Sequence, residues 1–146
     1  MQLELITCEV EGQCFAIDIM SIREIRAWTP VTRLPNAPPY IAGVVNLRGT
    51  VLPVMDLAAR LGWSRTEATA RHAIIVVQVA GQAKGLIVDC VNDIATLQED
   101  LLQPAPVTSE QGVVPFLQGL APVDDQMIML LNLDALCAEE FGAIAA

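Results

Sequence analysis

Residues 34–57 read Leu34-Pro-Asn-Ala-Pro-Pro-Tyr-Ile-Ala-Gly-Val-Val-Asn-Leu-Arg-Gly-Thr-Val-Leu-Pro-Val-Met-Asp-Leu57, and the rest of the chain is organised around this stretch. Its three prolines between positions 34 and 39 fix φ near −65°, so this part should cross the surface without helix or strand pairing. Residues 43–48 and 50–55 are predicted to form two successive strands. Between them Arg48-Gly49 is predicted to be a tight corner, because glycine adopts positive φ without steric cost. The corner should hold the Arg48 guanidinium at a fixed place.

The N-terminal residues alternate apolar and polar side chains on both sides of Glu11-Gly12. A two-residue loop there pairs Cys8 with Phe15 and places the apolar side chains of both strands on one face. The same register places Cys14 opposite Glu9 on the other face. Cys8 and Cys14 should therefore point apart and form no disulfide.

The length of 146 residues favours one domain over residues 1–146. Hydrophobic residues make up 53% of the chain but aromatic residues only 4%, an aliphatic composition common in β-rich folds. The longest apolar run, at 73–80, contains a Gln and is far shorter than the ~20 residues of a membrane helix. The first residues carry an acid and no basic region, so no export signal is expected. We expect a cytoplasmic protein that does not insert into the membrane.

The net charge of −9 argues against binding to a nucleic-acid backbone, which needs clustered Lys and Arg. All 8 basic residues lie between Arg23 and Lys84, and the stretch after Lys84 is acidic. That stretch is interpreted as a solvated acidic face, with a docking surface for a basic partner as the alternative.

The residue types of a catalytic or metal site are sparse. The four cysteines show no Cys-x-x-Cys spacing and are expected to be buried free thiols: Cys8, Cys14, Cys90 and Cys137. The single His72 has no obvious Cys or Asp companion in the sequence, so neither a metal nor a nucleophilic role is expected for it. We expect no cofactor, no metal and no enzymatic activity.

The remaining chain predicts short strands with two small helices. In the first half we predict a helical turn at 18–21, an extended run at 22–28 and a helix at 57–61 that is capped by Asp56 and ends at Gly62. An exposed loop at 63–71, in which Trp63 is anchored, leads to a hairpin of strands 73–80 and 84–89, and a strand at 91–97 continues that sheet. The last predicted elements are strands at 116–121 and 127–131, an Asn132-capped helix at 133–141 and a frayed tail at 142–146. About ten short strands are too many for one barrel and predict two small sheets side by side. The sequence shows no internal repeat.

Several segments together resemble the CheW family, the adaptors that couple chemoreceptors to the histidine kinase CheA in bacterial chemotaxis. The likeness rests on Leu34-Pro-Asn-Ala-Pro, Tyr40-Ile-Ala-Gly-Val-Val-Asn-Leu-Arg-Gly, Leu52-Pro-Val-Met-Asp-Leu57, Lys84-Gly-Leu-Ile-Val-Asp89, Val91-Asn-Asp-Ile94, Pro104-Ala-Pro106, Phe116-Leu-Gln-Gly-Leu120 and Ile128-Met-Leu-Leu-Asn-Leu-Asp134. It implies a mainly β fold of two intertwined five-stranded SH3-like β-barrels that share a hydrophobic core, with two short helices.

The resemblance also implies partners and a binding site. The partners would be the cytoplasmic tip of a chemoreceptor (methyl-accepting chemotaxis protein) and the regulatory domain of CheA. In the family the acidic residue of the run after the helical turn faces the Arg of the corner, and here these residues are Glu24 and Arg48. Gly43 and Gly85 would let partner backbone approach. Ile22, Ile25 and Val45 would supply apolar contact, although aliphatic residues on strands are more often core residues.

Two positions depart from the family pattern. Gln103 and Val107-Thr108 stand where relatives often carry a basic residue before Pro-Ala-Pro and an aromatic residue after it, in a loop tied to array contacts. A variant pathway that controls pili or second messengers is therefore an alternative to ordinary chemotaxis. A nucleic-acid-binding small barrel is a weaker alternative, because Tyr40, Trp28 and Trp63 do not form the stacking stripe it would need.

Overall fold

The computed structural model describes residues 2–64, 66–67, 69–104, 114–123 and 125–137. Within these residues the strands are β1 (Gln2–Val10), β2 (Gln13–Asp18), β3 (Ile22–Ala27), β4 (Ile41–Leu47), β5 (Thr50–Asp56), β6 (Ala73–Val79), β7 (Gln82–Val88), β8 (Cys90–Gln98), β9 (Leu117–Val123) and β10 (Gln126–Leu131). The α-helices are α1 (Leu57–Arg60) and α2 (Leu133–Cys137), and single 3₁₀ turns cover Ile19–Ser21, Glu99–Leu101 and Val114–Phe116. No helix of the described part is long and apolar enough to span a membrane.

The strands form two five-stranded sheets, which confirms the predicted fold class. The first sheet has the order β8-β1-β2-β10-β9, and the second has the order β3-β6-β7-β5-β4. The strand at 91–97 was expected to continue the sheet of the preceding hairpin, and this expectation was wrong, because β8 pairs with β1 in the first sheet. The physical reason is that β7 already has β6 on one side and β5 on the other, so it offers no free edge.

Three hairpins share the same two-residue loop of a left-handed residue followed by glycine. The loops are Glu11-Gly12 (φ 54 and 75), Arg48-Gly49 (φ 50 and 85) and Ala80-Gly81 (φ 52 and 80). Positive φ at both positions matches the right-handed twist of the flanking strands. The predicted register of the first hairpin is confirmed, with Cys8 opposite Phe15 and Glu9 opposite Cys14. The loop of the third hairpin lies at 80–81, so β7 starts two residues earlier than expected.

The two sheets repeat one arrangement that the sequence did not reveal. In the second sheet the β4–β5 hairpin joins the β6–β7 hairpin through the parallel pair β5 and β7, and β3 lies at the far edge. In the first sheet the β9–β10 hairpin joins the β1–β2 hairpin through the parallel pair β10 and β2, and β8 lies at the far edge. The carbonyl of Tyr40 accepts the amide of Asp56 at 2.7 Å, and that of Phe116 accepts the amide of Asn132 at 2.8 Å. Both acceptors precede the first strand of the hairpin, and both donors precede the helix that follows it.

Each sheet curls so that, in the part of the chain that the structure describes, one backbone bridge joins its two edges. Thr32, beyond β3, exchanges two hydrogen bonds of 2.8 Å with Val44 of β4. Gln103, beyond β8, makes the same exchange with Leu120 of β9. In the described residues the edge strands of a sheet form no ladder with each other. The predicted barrels are therefore open sheets, each bridged at one point.

The core consists of a shared cluster and one smaller cluster in each sheet. The shared core is formed by Cys8, Val10, Phe15, Ile17, Ile41, Met55, Leu57, Ala58, Leu61, Ile75, Val77, Val79, Leu86, Val88, Leu131, Leu136 and Cys137. The first sheet adds Leu5, Ala16, Leu97, Ala121, Ile128 and Leu130, and the second adds Leu52, Val54, Ile74, Val76 and Ile87. The β6–β7 hairpin has apolar residues on both faces and contributes to both the shared core and the cluster of the second sheet.

The helix caps are confirmed and tie the loops to the core. Asp56 Oδ1 accepts the amide of Ala59, and its carboxylate also accepts the amide of Thr66 at 2.7 Å and its hydroxyl at 2.8 Å. Asn132 Oδ1 accepts the amide of Ala135 at 3.1 Å. Trp63 is anchored as expected, with its ring 5.9 Å from that of Phe15. The predicted residues 138–141 of the last helix and the tail at 142–146 lie outside the described residues.

Candidate partner-binding site

The site predicted at the Arg48-Gly49 corner is built on the β4–β5 hairpin. Leu47 pairs with Thr50, so Arg48 and Gly49 alone form the loop. The side chain of Asn46 accepts the amide of Gly49 at 2.8 Å. The Arg48 side chain is 72% exposed. The loop therefore presents a guanidinium to solvent from a backbone with defined geometry.

Glu24 approaches this guanidinium from the opposite edge of the same sheet. Arg48 Nη2 donates to Glu24 Oε1 at 2.8 Å, and Arg26 Nη1 lies 3.8 Å from the same oxygen. In a flat five-stranded sheet the two edge strands would be about 19 Å apart. The contact is possible because the sheet curls, so the ion pair spans the gap between β3 and the β4–β5 hairpin.

The apolar residues predicted around the ion pair differ in their exposure. Ile25 on β3 is 43% exposed and can contact a partner. Ile22 is partly buried against the shared core, and Val45 is partly buried against the cluster of the second sheet. The sequence analysis missed Val51, which follows the corner and is 68% exposed. Its place two residues after Gly49 of the corner was the signal that could have identified it.

The two glycines have a different role from the one expected. A Cβ on Gly43 would lie 2.2 Å from the carbonyl oxygen of Thr32, and a Cβ on Gly85 would lie 2.9 Å from Cγ2 of Ile74. Both glycines are buried. The expectation that they let partner backbone approach is thus corrected, because the chain itself occupies the space beside them. Gly43 leaves room for the backbone bridge between Thr32 and Val44, and Gly85 leaves room for core side chains.

His72 does have an acidic companion in the folded chain. Its Nε2 lies 3.5 Å from Asp89 Oδ1, and its Nδ1 accepts the amide of Thr69 at 3.0 Å. Asp89 Oδ2 in turn accepts the amide of Glu11 at 2.9 Å. This chain of contacts ties the tip of the first hairpin to the loop before β6. In the described part of the chain, no group of three or more His, Cys, Asp or Glu side chains is placed to hold a metal ion.

Arg60 of α1 is a further residue that the sequence analysis missed. Its Cζ lies 4.6 Å from the ring centre of Tyr40 and 4.5 Å from that of Phe116, so the guanidinium contacts both rings. Tyr40 and Phe116 hold equivalent positions in the two halves of the molecule, each half being one sheet with the helix that follows its hairpin. Its Nε also donates to the carbonyl of Leu136 in α2 at 2.9 Å. One side chain therefore links the two repeated arrangements.

The four cysteines are free, as predicted, but the expectation that all are buried was wrong, because Cys8 and Cys137 are buried whereas Cys14 and Cys90 are only partly buried. Burial, with smaller contributions from the nearby Cys14 and Cys90, raises the pKa of Cys8 to about 12. Burial also raises the pKa of Cys14 and of Cys90, with the Glu9 carboxylate as the next cause in each case. Burial raises the pKa of Cys137, although the charges of Lys84 and Arg60 oppose this shift.

This shift predicts an alkaline loss of stability that depends on Cys8. Above the unfolded pKa of 9.0 the unfolded thiol releases its proton, while the folded thiol keeps it up to about 12. The unfolded state then binds fewer protons, so the free energy of unfolding falls as pH rises through this window. Urea unfolding at pH 8.5 and pH 10.5 should show a loss about 1–2 kcal/mol larger in the wild type than in Cys8→Ala.

Val10→Ala is the matched control for this experiment. It removes volume from the same shared core without removing a thiol, so its pH dependence should equal that of the wild type. An equal pH dependence in Cys8→Ala and the wild type would show that Cys8 does not titrate late in the folded state.

Gln103, one of the two departures from the family pattern, is exposed and forms the backbone bridge to Leu120. Its side chain is therefore on the surface while its backbone closes the first sheet. Val107-Thr108, the other departure, lies outside the described residues.

Comparison with known proteins gives one consistent result. A family model described as "CheW-like domain" matches residues 4–141. The probable chemotaxis protein CheW of Rhizobium etli is 48% identical over 93% of this chain and 88% of that protein. The chemotaxis protein CheW of Rhizobium meliloti is 45% identical over 94% of this chain and 88% of that protein. The crystal structure of the scaffolding protein TtCheW from Thermoanaerobacter tengcongensis superposes with a TM-score of 0.85 at 31% identity, covering 93% of this chain and 88% of that chain.

Proposed function

Because this chain belongs to the CheW-like domain family, we propose that it is a non-enzymatic adaptor that couples chemoreceptors to the histidine kinase CheA in a bacterial chemosensory complex. The observation that carries the proposal is the family match across nearly the whole chain, on a fold that superposes on a scaffolding protein of that family. The proposed partners are the cytoplasmic tip of a receptor and the regulatory domain of CheA, and we therefore propose a cytoplasmic location.

The surface proposed for partner contact is centred on the Glu24–Arg48 ion pair and the exposed Ile25. An exposed ion pair contributes only about 0–1 kcal/mol to stability, so this pair does little to hold the fold. A fixed charge pattern beside an exposed aliphatic side chain can instead set the register of a partner and speed its association. Ile22 and Val45 connect this surface to the interior, since both are partly buried and pack against the core clusters.

Arg48→Ala and Glu24→Ala are each expected to weaken binding to the receptor tip about ten-fold, because each removes half of the charge pattern. Their melting temperatures should stay close to that of the wild type, because the pair is at the surface. If the two side chains act as one unit, the double variant should lose much less affinity than the product of the two single losses. Calorimetric titration with a purified receptor-tip fragment measures these affinities.

Arg71→Ala is the matched control, since it removes one exposed positive charge in the turn two residues before β6 and leaves the ion pair intact. It should bind the receptor tip as the wild type does. Independent, multiplicative losses would show that Glu24 and Arg48 are separate surface charges. Wild-type affinity in both single variants would remove them from the binding surface.

A pull-down from lysate of the native organism tests the function as a whole. The tagged chain should recover a CheA-type kinase together with a chemoreceptor, identified by mass spectrometry. Recovery of the kinase and receptor of a pilus or second-messenger system would favour the variant pathway. Recovery of neither component, or salt-sensitive recovery of nucleic acid alone, would contradict the adaptor proposal.

A further inference from the structure

Asn46 has a role that the comparison of the three equivalent hairpin loops reveals. Asn46 stands two residues before its loop, and its side chain accepts the amide of Gly49, the second loop residue. The residues at the same position of the other two hairpins are Glu9 and Gln78. Glu9 Oε2 instead lies 3.7 Å from the thiol of Cys90, and Gln78 Oε1 accepts from Arg23 at 3.3 Å. Asn46 thus differs from both counterparts in binding its own loop.

This bond acts on a loop residue whose backbone is unfavourable. Arg48 has φ 50, a left-handed conformation that residues with a Cβ seldom adopt. Glu11 and Ala80 adopt it in the other two loops without such a bond, so here the bond adds a second restraint to the one that the strand twist supplies. The loop fixes where the Arg48 side chain leaves the hairpin, and the guanidinium then meets Glu24 at 2.8 Å on the opposite edge of the sheet. A loop that is free to change its backbone would move the guanidinium away from this oxygen.

We propose that Asn46 is a positioning residue for the partner-binding surface: it holds the Arg48-Gly49 loop in the conformation that places the Arg48 guanidinium on Glu24. The proposal rests on the adaptor function proposed above. Asn46 is not required to contact the partner, because its side-chain oxygen is used by Gly49.

The order of the Arg48 guanidinium can be measured without any partner. In the wild type the ion pair should slow rotation about the Nε–Cζ bond, so NMR should resolve distinct Nη signals for Arg48. Asn46→Ala should merge or broaden these signals, because the loop is released. Asn46→Asp keeps an acceptor for the Gly49 amide and should keep the signals distinct. Gln78→Ala, the same position of an equivalent hairpin, is the control and should leave them unchanged.

The affinity for the purified receptor-tip fragment completes the test. Asn46→Ala should bind about five-fold more weakly, as expected for the loss of one hydrogen bond, and should add little to the loss in Arg48→Ala. Unchanged Arg48 signals in Asn46→Ala would overturn the inference. Released signals with unchanged affinity would also overturn it if Arg48→Ala binds weakly. If Arg48→Ala also binds normally, the proposed binding surface itself is wrong.

Discussion

Gly43→Ala is expected to lower the free energy of unfolding by about 3 kcal/mol or more, through overpacking and backbone strain together. The added Cβ would lie 2.2 Å from the Thr32 carbonyl oxygen and 2.8 Å from its carbonyl carbon, atoms that cannot move without breaking the bridge to Val44. The backbone of Gly43 also has φ 153, which strains a residue with a side chain. Thermal melts should show a midpoint lower by about 10 °C.

Two other glycines separate the causes of this effect. Gly49→Ala adds strain at φ 85 but meets no atom within 4 Å, so it should cost only about 1 kcal/mol. In Gly119→Ala the new Cβ would lie 2.5 Å from the Gln103 carbonyl oxygen, at the bridge of the other sheet, so it should be almost as harmful as Gly43→Ala. If Gly43→Ala melted like Gly49→Ala, the bridge at Thr32 would not be part of the folded structure.

Arg60→Ala is expected to lower the free energy of unfolding by about 3 kcal/mol, because it removes two cation–π contacts and a charged hydrogen bond. The side chain joins Tyr40 and Phe116 of the two halves and also donates to the carbonyl of Leu136. Its loss should therefore weaken the packing between the two halves as well as the packing of α1. Urea unfolding followed by tryptophan fluorescence measures the change.

Arg60→Lys should recover little of this loss, since an ammonium group lacks the planar face that stacks between two rings. Arg26→Ala is the control. Among the described residues Arg26 forms a 3.8 Å ion pair with Glu24 at the surface, so its replacement should lower the free energy of unfolding by only about 0–1 kcal/mol. Equal stability of Arg60→Ala and Arg26→Ala would show that Arg60 does not join the halves.

The sequence predicted the local structure well, because local rules decide it. The pairing of Cys8 with Phe15 follows from the alternation of side chains and a two-residue loop, and the structure has this register. The caps at Asp56 and Asn132 can likewise be predicted from residues within one turn of the helix. Strand pairings that depend on residues distant in the sequence could not be predicted. The strand β8 joins the first sheet because β7 has no free edge, and this depends on where β5 pairs.

The candidate site could be predicted only in part. Glu24 and Arg48 were paired on the strength of the family resemblance, and the structure brings them to 2.8 Å across the curl of a sheet. No local pattern predicts that contact, because it depends on the closure of the sheet near Thr32. Gly43 was recognised as special for the wrong reason, since a glycine in a strand indicates close approach without saying which atoms approach.

The central claim is that this chain links two partners at once, and one measurement tests it directly. The purified chain is mixed with the regulatory domain of CheA and a receptor-tip fragment, and the complexes are resolved by analytical ultracentrifugation. The adaptor account predicts binary complexes with each partner and a ternary complex when all three are present. Binding to neither partner, or binding of one only in the absence of the other, would contradict it.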